Sequence, residues 1–201
     1  MKNSKAYIVV IILGAGAWSC SHNPPQAKNK TSFTKIDSLT DRYLLLQDSL
    51  FQSWNMMMMD ENKKIKAMHN VVHELMYSGQ EDKSELVELE HRLNDLSTLY
   101  LKPEHLSSPD LLEEYDFAMN SLVTEVISTT ESHSTFSYNQ TLQKLVEEIK
   151  IRDQRVNTNR DNYDRIATEF NEFVSRNKSL ASEISNDTSL IQKPLFSIAE
   201  Q

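Results

Sequence analysis

Apolar residues recur at steps of three and four over most of the chain, which is the spacing of one face of an α-helix. The first such stretch runs from about residue 33 to residue 77. Its stripe consists of Ile36, Leu39, Tyr43, Leu46, Leu50, Trp54, Met57, Ile65, Met68, Val72 and Leu75. The pattern predicts one amphipathic helix roughly 65 Å long, at 1.5 Å per residue. Gly79 is predicted to end it, because glycine tolerates the left-handed backbone that follows many helices.

Two shorter helices are predicted next. One spans about 83–101, and the other begins at Ser108-Pro109-Asp110 and continues to about residue 127. In that tripeptide the serine is expected to cap free amides, proline is tolerated in a first helical turn, and the acid complements the helix dipole. Residues 128–137 are rich in Ser, Thr and His and are predicted to form a loop.

The last predicted helix, about 138–177, carries a strict heptad repeat. Apolar or aromatic side chains return every seven residues, at Leu142, Ile149, Val156, Tyr163 and Phe170. Such a repeat is typical of a coiled-coil-like seam. The seam predicts a second long helix that packs along a partner.

Polar residues interrupt both long stripes. Arg152 and Asn159 lie at companion positions of the seam, and Glu61 lies between Met57 and Ile65 in the first helix. If the two long helices are antiparallel, Glu61 and Arg152 form a candidate polar core pair. The alternative is that the Arg152 stem lies on apolar surface while its guanidinium reaches solvent.

Chain breakers are scarce. The sequence contains 3 Gly and 5 Pro, and two of the glycines, Gly14 and Gly16, lie near the N-terminus. A many-stranded β-fold needs more turn formers, whereas long helices need few. The predicted fold class is therefore all-α, an elongated antiparallel bundle of about four helices, two of them long, with coiled-coil-like packing.

The N-terminus has the pattern of an export signal. A positively charged start and twelve mostly apolar residues, 6–17, precede Cys20, the only cysteine. This stretch is shorter than the ~20 residues of a spanning helix, so it predicts a secretory signal. The small residues before the cysteine resemble the lipobox of bacterial lipoproteins, in which the cysteine is lipidated. That resemblance implies a signal peptide at 1–19, lipidation of Cys20 and a flexible tether at 20–32.

Charge narrows the range of partners. The net charge of −8 becomes −10 without residues 1–19, which hold two lysines and no acid. An acidic chain is a poor ligand for nucleic acid, so no nucleic-acid partner is expected. The densest basic run, residues 63–66, is predicted to be a solvated helix face.

Residues at both ends of the predicted bundle resemble motifs of the LemA family. In the last helix the matching residues, in the family's spacing, are Arg155-Val156, Arg160, Tyr163 and Phe170-Asn171. In the first helix they are Trp54, Lys63-Lys64 and Asn70-Val71-Val72. Residues 193–196, Lys-Pro-Leu-Phe, are similar to the family's closing lysine-proline-aromatic segment. The similarity is weak in the second and third helices.

The chain also departs from that family. Glu61 stands where the family has an apolar residue, His69 stands where it has a proline, and the proline and Gly-Phe elements expected between residues 174 and 193 are absent. The resemblance implies a divergent member, with a LemA-like bundle at 33–178 and a C-terminal extension at 179–201. It further implies a membrane-associated antiparallel bundle without established enzymatic activity, here held by a lipid in place of the usual transmembrane helix.

Candidate metal ligands are few. His69 and His73 are four residues apart on one helix face, and Glu88 with His91 supplies one Glu-x-x-His step. Zinc sites use three or four protein ligands, and di-iron bundles use that step twice. The sequence therefore predicts no metal, no cofactor and no catalytic residue. The alternative is a metal-binding helical bundle, with or without enzymatic activity.

Together these patterns predict a non-catalytic, lipid-anchored protein of the bacterial cell envelope, on a periplasm-facing membrane. It would act as an interaction or scaffold module through its helical surfaces. The expected partners are the membrane and an envelope protein. A further alternative is a structural oligomer in which the heptad seam binds a second copy of the chain. The run of four methionines, residues 56–59, is expected to pack between helices, and the alternative is that it offers apolar surface to a partner helix.

Overall fold

The described helices belong to one compact unit, residues 34–201. The computed structural model describes residues 34–78, 83–99, 101–185 and 192–197. The predicted signal peptide, lipidation of Cys20 and tether lie outside the described residues, and so does Gly79.

The described residues form five α-helices, one 3₁₀ helix and no β-strand. They are α1 (Lys35–Ser78), α2 (Lys83–Thr98), the 3₁₀ helix (Pro103–Ser107), α3 (Pro109–Ser132), α4 (Gln140–Arg176) and α5 (Lys178–Ser185). The prediction of an all-α bundle with two long helices is confirmed.

Helix ends differ from the predicted ones around α3. It extends to Ser132, five residues into the predicted loop, because Thr130 is buried and its hydroxyl donates to the Val126 carbonyl. Ser108 lies at the N-cap position, but its side chain makes no capping hydrogen bond. Asn139 does cap α4, accepting hydrogen bonds from two backbone amides at 3.0 and 3.2 Å.

The two long helices pack side by side in opposite directions. The residue numbers of the contacting positions fall along α4 as they rise along α1. The contacts include Tyr43–Phe170, Trp54–Tyr163, Lys64–Asp153 and Glu74–Asn139. The antiparallel arrangement follows from amphipathic stripes that hide their apolar faces from water on one another.

The remaining helices complete the bundle. α3 runs antiparallel to α4, with Asp116 opposite Arg160 and Glu131 opposite Lys150. α2 contacts α1 through His69 and Glu90, and α3 through Arg92 and Glu125. The core of the unit thus lies between α1 and α4 and is closed by α2 and α3.

The heptad seam of α4 faces this core. Its five positions, from Leu142 to Phe170, are between 0% and 3% exposed. The seam is therefore covered by α1 of the same chain and offers no exposed apolar surface to a second copy. Self-association would need another surface.

Residues predicted to be a C-terminal extension pack against the bundle. Ala181 of α5 and Phe196 of segment 192–197 are both buried among core residues. Among the described helices, none combines the length and the apolarity that crossing a bilayer requires.

Shortening a seam side chain should test the core. Leu142 is fully buried, so Leu142→Ala should lower the free energy of unfolding by about 2–5 kcal/mol through lost burial and the resulting cavity. Leu111 is 43% exposed, and Leu111→Ala should cost about 1 kcal/mol or less. Urea unfolding followed by circular dichroism measures both, and equal losses would contradict the burial pattern.

Candidate functional site

Three aromatic side chains from separate parts of the chain meet at one place. Trp54 of α1 lies 5.7 Å from Tyr163 of α4 between ring centroids, at an interplanar angle of 64°. Phe196 stacks on Trp54 at 6.0 Å and meets Tyr163 edge-on at 5.6 Å. Offset and edge-to-face contacts of this kind are the favoured geometries of aromatic pairs. We call Trp54, Tyr163 and Phe196 the aromatic junction.

Arg160 joins the aromatic junction to α3. Its guanidinium carbon lies 4.9 Å from the Phe196 ring centroid, and the group donates two hydrogen bonds to Asp116, at 2.8 and 2.7 Å. Burial acts to lower the pKa of Arg160, but the hydrogen bonds and charge of Asp116 outweigh it and raise that pKa. Arg160 is therefore a fixed cation held by a carboxylate and an aromatic face.

The C-terminal segment 192–197 is bound to α4 through its backbone. Asn171 accepts from the Lys193 amide at 2.7 Å and donates to the Lys193 carbonyl at 2.9 Å. Asp164 accepts from the amides of Phe196 and Ser197, at 2.8 and 2.9 Å. These two side chains replace the hydrogen bonds that a neighbouring strand would supply, so the segment lies along α4 without forming a helix.

A second group of polar side chains lies between α1 and α4. Asp60 is 0% exposed, and its carboxylate accepts hydrogen bonds from Arg152 at 2.7 Å and from Asn159 at 3.1 Å. Arg155 Nε lies 3.2 Å from the same carboxylate. One enclosed anion thus binds three side chains of α4.

The Glu61 side chain contacts Tyr115 and Lys64, and not Arg152 as the sequence suggested. Tyr115 of α3 donates to Glu61 Oε1 at 2.8 Å, and Lys64 Nζ lies 3.0 Å from Oε2. The second contact is electrostatic rather than directional, since Oε2 makes no hydrogen bond. Lys64 in turn donates to Asp153 at 3.0 Å. This chain of contacts links α3, α1 and α4.

The candidate pair of Glu61 and Arg152 is therefore corrected: Arg152 binds Asp60, the residue before Glu61. Successive residues of an α-helix point about 100° apart, since 3.6 residues make a turn. Asp60 consequently faces α4, and Glu61 faces α3. The stripe pattern identified the correct turn of the helix and the wrong residue within it.

Charged side chains of opposite sign meet between the helices. We call the following residues the interhelical charge network: the anions are Asp60, Glu61, Asp116, Glu148 and Asp153, and the cations are Lys64, Arg152, Arg155 and Arg160. Opposite charges at contact distance reduce the penalty for removing the buried members, Asp60, Glu61 and Lys64, from water. The network is thus a set of paired internal contacts.

The residues that resemble LemA motifs divide between the aromatic junction and the charged residues between α1 and α4. Trp54, Arg160 and Tyr163 belong to or touch the aromatic junction, and Asn171 binds Lys193 beside it. The Phe170 ring centroid lies 5.7 Å from Lys193 Nζ. Arg155 reaches Asp60, whereas Asn70 is exposed on α1 and joins neither group.

Sequence reasoning missed several residues of the two groups. Asp60 lies on the buried face of α1. The prediction of a solvated face at residues 63–66 is wrong for Lys64, which is 2% exposed; it follows Glu61 by three residues, a helical spacing that could have indicated its burial. Asp116 and Asp164 carry no such signal. Their partners lie on other elements, so only the packed helices reveal them.

Of the four candidate metal ligands, His69 and His73 meet, whereas Glu88 and His91 lie apart from them. His69 Nδ1 and His73 Nε2 lie 2.9 and 3.4 Å from Glu90 Oε1, whereas Glu88 is exposed and His91 faces Asp95. In the part of the chain that the structure describes, no group of three or more His, Cys, Asp or Glu side chains is arranged to hold a metal ion.

A groove of about 460 Å³ borders the aromatic junction. Phe51, Trp54 and Pro103 line it, and its charged members are Lys102, Glu104 and Lys193. No nucleophile with an adjacent base lies among its lining residues. The groove can accept an apolar group.

Two tyrosines have raised pKa values. Burial raises the pKa of Tyr163 to about 12, with Asp164 and Glu104 acting in the same direction. Burial, followed by the charge of Glu61 and the hydrogen bond to it, raises the pKa of Tyr115 far above its usual value. Both phenols are therefore held neutral, so neither is a ready base.

Removing the charge of Asp60 should destabilise the unit strongly. Asp60→Asn leaves Arg152 and Arg155 without their anion, and breaking a buried ion pair in this way costs about 3–5 kcal/mol. The control is Glu169→Gln, since Glu169 also joins α1 to α4 but is 41% exposed in its pair with Arg42. The control should cost less than about 1 kcal/mol. Urea unfolding compares them, and similar losses would reject the role given to Asp60.

Alkaline pH should destabilise the unit through Tyr163. An unfolded tyrosine ionises near pH ~10, so above that pH the unfolded chain loses this proton before the folded chain does. The stability that Tyr163 contributes is full below about pH 10 and is lost as the pH rises toward 12. Tyr163→Phe should therefore lose less stability than wild type over this range. Tyr138→Phe, at an exposed position, should behave as wild type does.

Comparison with known proteins gives no match. No family model, no curated protein and no solved structure matches the chain. The LemA resemblance therefore rests on the residues named above, and the functional argument rests on their contacts.

Proposed function

We propose that this chain is a lipid-anchored, non-catalytic envelope protein of LemA type that serves as an interaction or scaffold module. One observation carries the proposal: the polar groups of Arg155, Arg160 and Asn171, three of the LemA-like residues, are engaged inside the chain. Arg160 is bound by Asp116 and Phe196, and Asn171 uses both its oxygen and its nitrogen on Lys193. Groups held in this way build a scaffold and are not free to transfer protons or bind substrate.

The surface of the bundle supports a role in contacts. Large apolar side chains remain exposed on α1, among them Leu44, Leu45, Phe51, Met56 and Met59. Clustered apolar exposure of this kind is typical of surfaces that bind another protein. Helical surfaces of this length suit docking of a partner helix.

The anchor is proposed from the sequence. Cys20 follows a short apolar segment behind two lysines, and lipoproteins carry several acyl chains on such a cysteine. One chain binds a membrane only marginally, whereas two or more give stable attachment. A permanent anchor would keep the bundle at a periplasm-facing membrane surface, with residues 21–32 as a spacer.

Mass spectrometry of the membrane-extracted protein tests the anchor. The expected product begins at Cys20 and carries diacylglycerol on that residue. Cys20→Ser should prevent acylation and release the bundle from washed membranes. An intact Met1 in the membrane fraction, or an unmodified Cys20, would contradict the proposal.

Metal analysis of the same purified protein tests the non-catalytic part. Zinc and iron should each be present at well below one ion per chain, because the four predicted ligands His69, His73, Glu88 and His91 do not converge. A stoichiometric metal ion lost in the double variant His69→Ala, His73→Ala would reject the scaffold role in favour of a metal-binding bundle.

A further inference from the structure

The outward face of α1 carries a row of side chains that the bundle does not bury. Its exposed positions follow one another at steps of three and four, so they lie along one side of the helix. They are Ser38, Asp41, Leu45, Asp48, Gln52, Met56, Met59, Lys63 and Lys66. We call these nine positions the outer stripe.

The outer stripe is apolar near its middle. Leu45, Met56 and Met59 are 55%, 46% and 43% exposed. Methionine is common at protein surfaces that adapt to a partner. The middle of the stripe therefore gains from being covered.

The ends of the outer stripe carry opposite charges. Asp41 and Asp48 lie toward its start, and Lys63 and Lys66 lie at its end. Within the described residues none of these four forms an ion pair, whereas many exposed charges elsewhere are paired. Examples are Arg92–Glu125, Lys150–Glu131 and Arg176–Glu172. The stripe thus presents unneutralised charge of both signs.

The spacing of the outer stripe is the same in both directions from Gln52. Its members lie 4, 7, 11 and 14 residues to either side of that position. If two copies of α1 lie antiparallel about a two-fold axis at Gln52, Asp41 faces Lys63 of the second copy, and Leu45 faces its Met59. Each contact occurs twice, as two-fold symmetry requires.

We propose that the outer stripe of α1 binds the outer stripe of a second copy of this chain, antiparallel, about an axis at Gln52. Charge selects this direction. A parallel arrangement would set Asp41 against Asp41 and Lys63 against Lys63, and like charges in register oppose association. The antiparallel arrangement instead pairs Asp41 with Lys63 twice and covers Leu45, Met56 and Met59.

This inference rests on the proposed interaction role and names one partner for it. It replaces the heptad seam of α4, which α1 already covers, as the surface for self-association. The anchor can be judged separately. Acylated Cys20 on a strictly monomeric chain would reject this inference alone, and a dimer with an intact Met1 would reject the anchor alone.

Disulfide mapping of the full chain in neutral detergent tests the axis. Under mild oxidation Gln52→Cys should give a disulfide between the two copies of position 52, identified by peptide mass and thereby distinguished from any bond at Cys20. Lys144→Cys provides the matched control, since Lys144 is exposed on α4 outside the outer stripe. The control should give no bond between copies of position 144.

Mixed oxidation tests the direction. A mixture of chains carrying Leu45→Cys and chains carrying Met59→Cys should form disulfides that join position 45 to position 59. Bonds joining 45 to 45 and 59 to 59 would indicate a parallel arrangement and overturn the proposal, as would the absence of a bond at position 52.

Charge reversal tests the contacts by sedimentation equilibrium in density-matched detergent. Asp41→Lys or Lys63→Asp should each weaken dimerisation roughly tenfold, because each reverses two symmetric ion pairs. The double variant should recover to within about threefold of wild type, since it exchanges the two signs. Lys144→Asp should change nothing. A wild-type monomer over a hundredfold concentration range, or a double variant as weak as the single ones, would reject the proposal.

Discussion

Asp60 sets the relative position of the two long helices. Its charge is fully enclosed, and removing a carboxylate from water costs several kcal/mol unless partners offset that loss. Arg152, Arg155 and Asn159 supply those partners from about two turns of α4. The apolar seam repeats every seven residues and would tolerate a shift by one repeat. The charge would not, because the α4 positions one repeat away offer it fewer cations: Asn159, Asn162 and Ile166 in one direction, and Leu145, Glu148 and Arg152 in the other.

The aromatic junction extends this constraint to the end of the chain. Asp116 binds Arg160, whose guanidinium lies on the Phe196 ring, so α3, α4 and segment 192–197 meet at one cation. Asn171 and Asp164 then fix the backbone of the segment. Apolar burial makes the core favourable but does not fix the relative positions of the helices. Polar contacts of defined direction fix those positions.

Periodicity alone predicted the class of fold, both long helices and the residues of the seam, because the pattern depends only on which face each residue occupies. It did not predict α5, which has only eight residues. It also chose Glu61 where the structure uses Asp60, since a stripe does not resolve neighbours that both face inward. Asp116 and Asp164 escaped prediction for another reason. Their partners are fixed by the rotation and height of whole helices, and no local pattern encodes these.

The principal contacts of α1 join residues far apart in sequence. Asp60 and Arg152 are 92 positions apart, and Arg42 and Glu169 are 127 apart. During synthesis α1 leaves the ribosome well before α4 exists, so its acidic and basic side chains then have only water as a partner. Native contacts between α1 and α4 can therefore form only after nearly the whole chain has been synthesised.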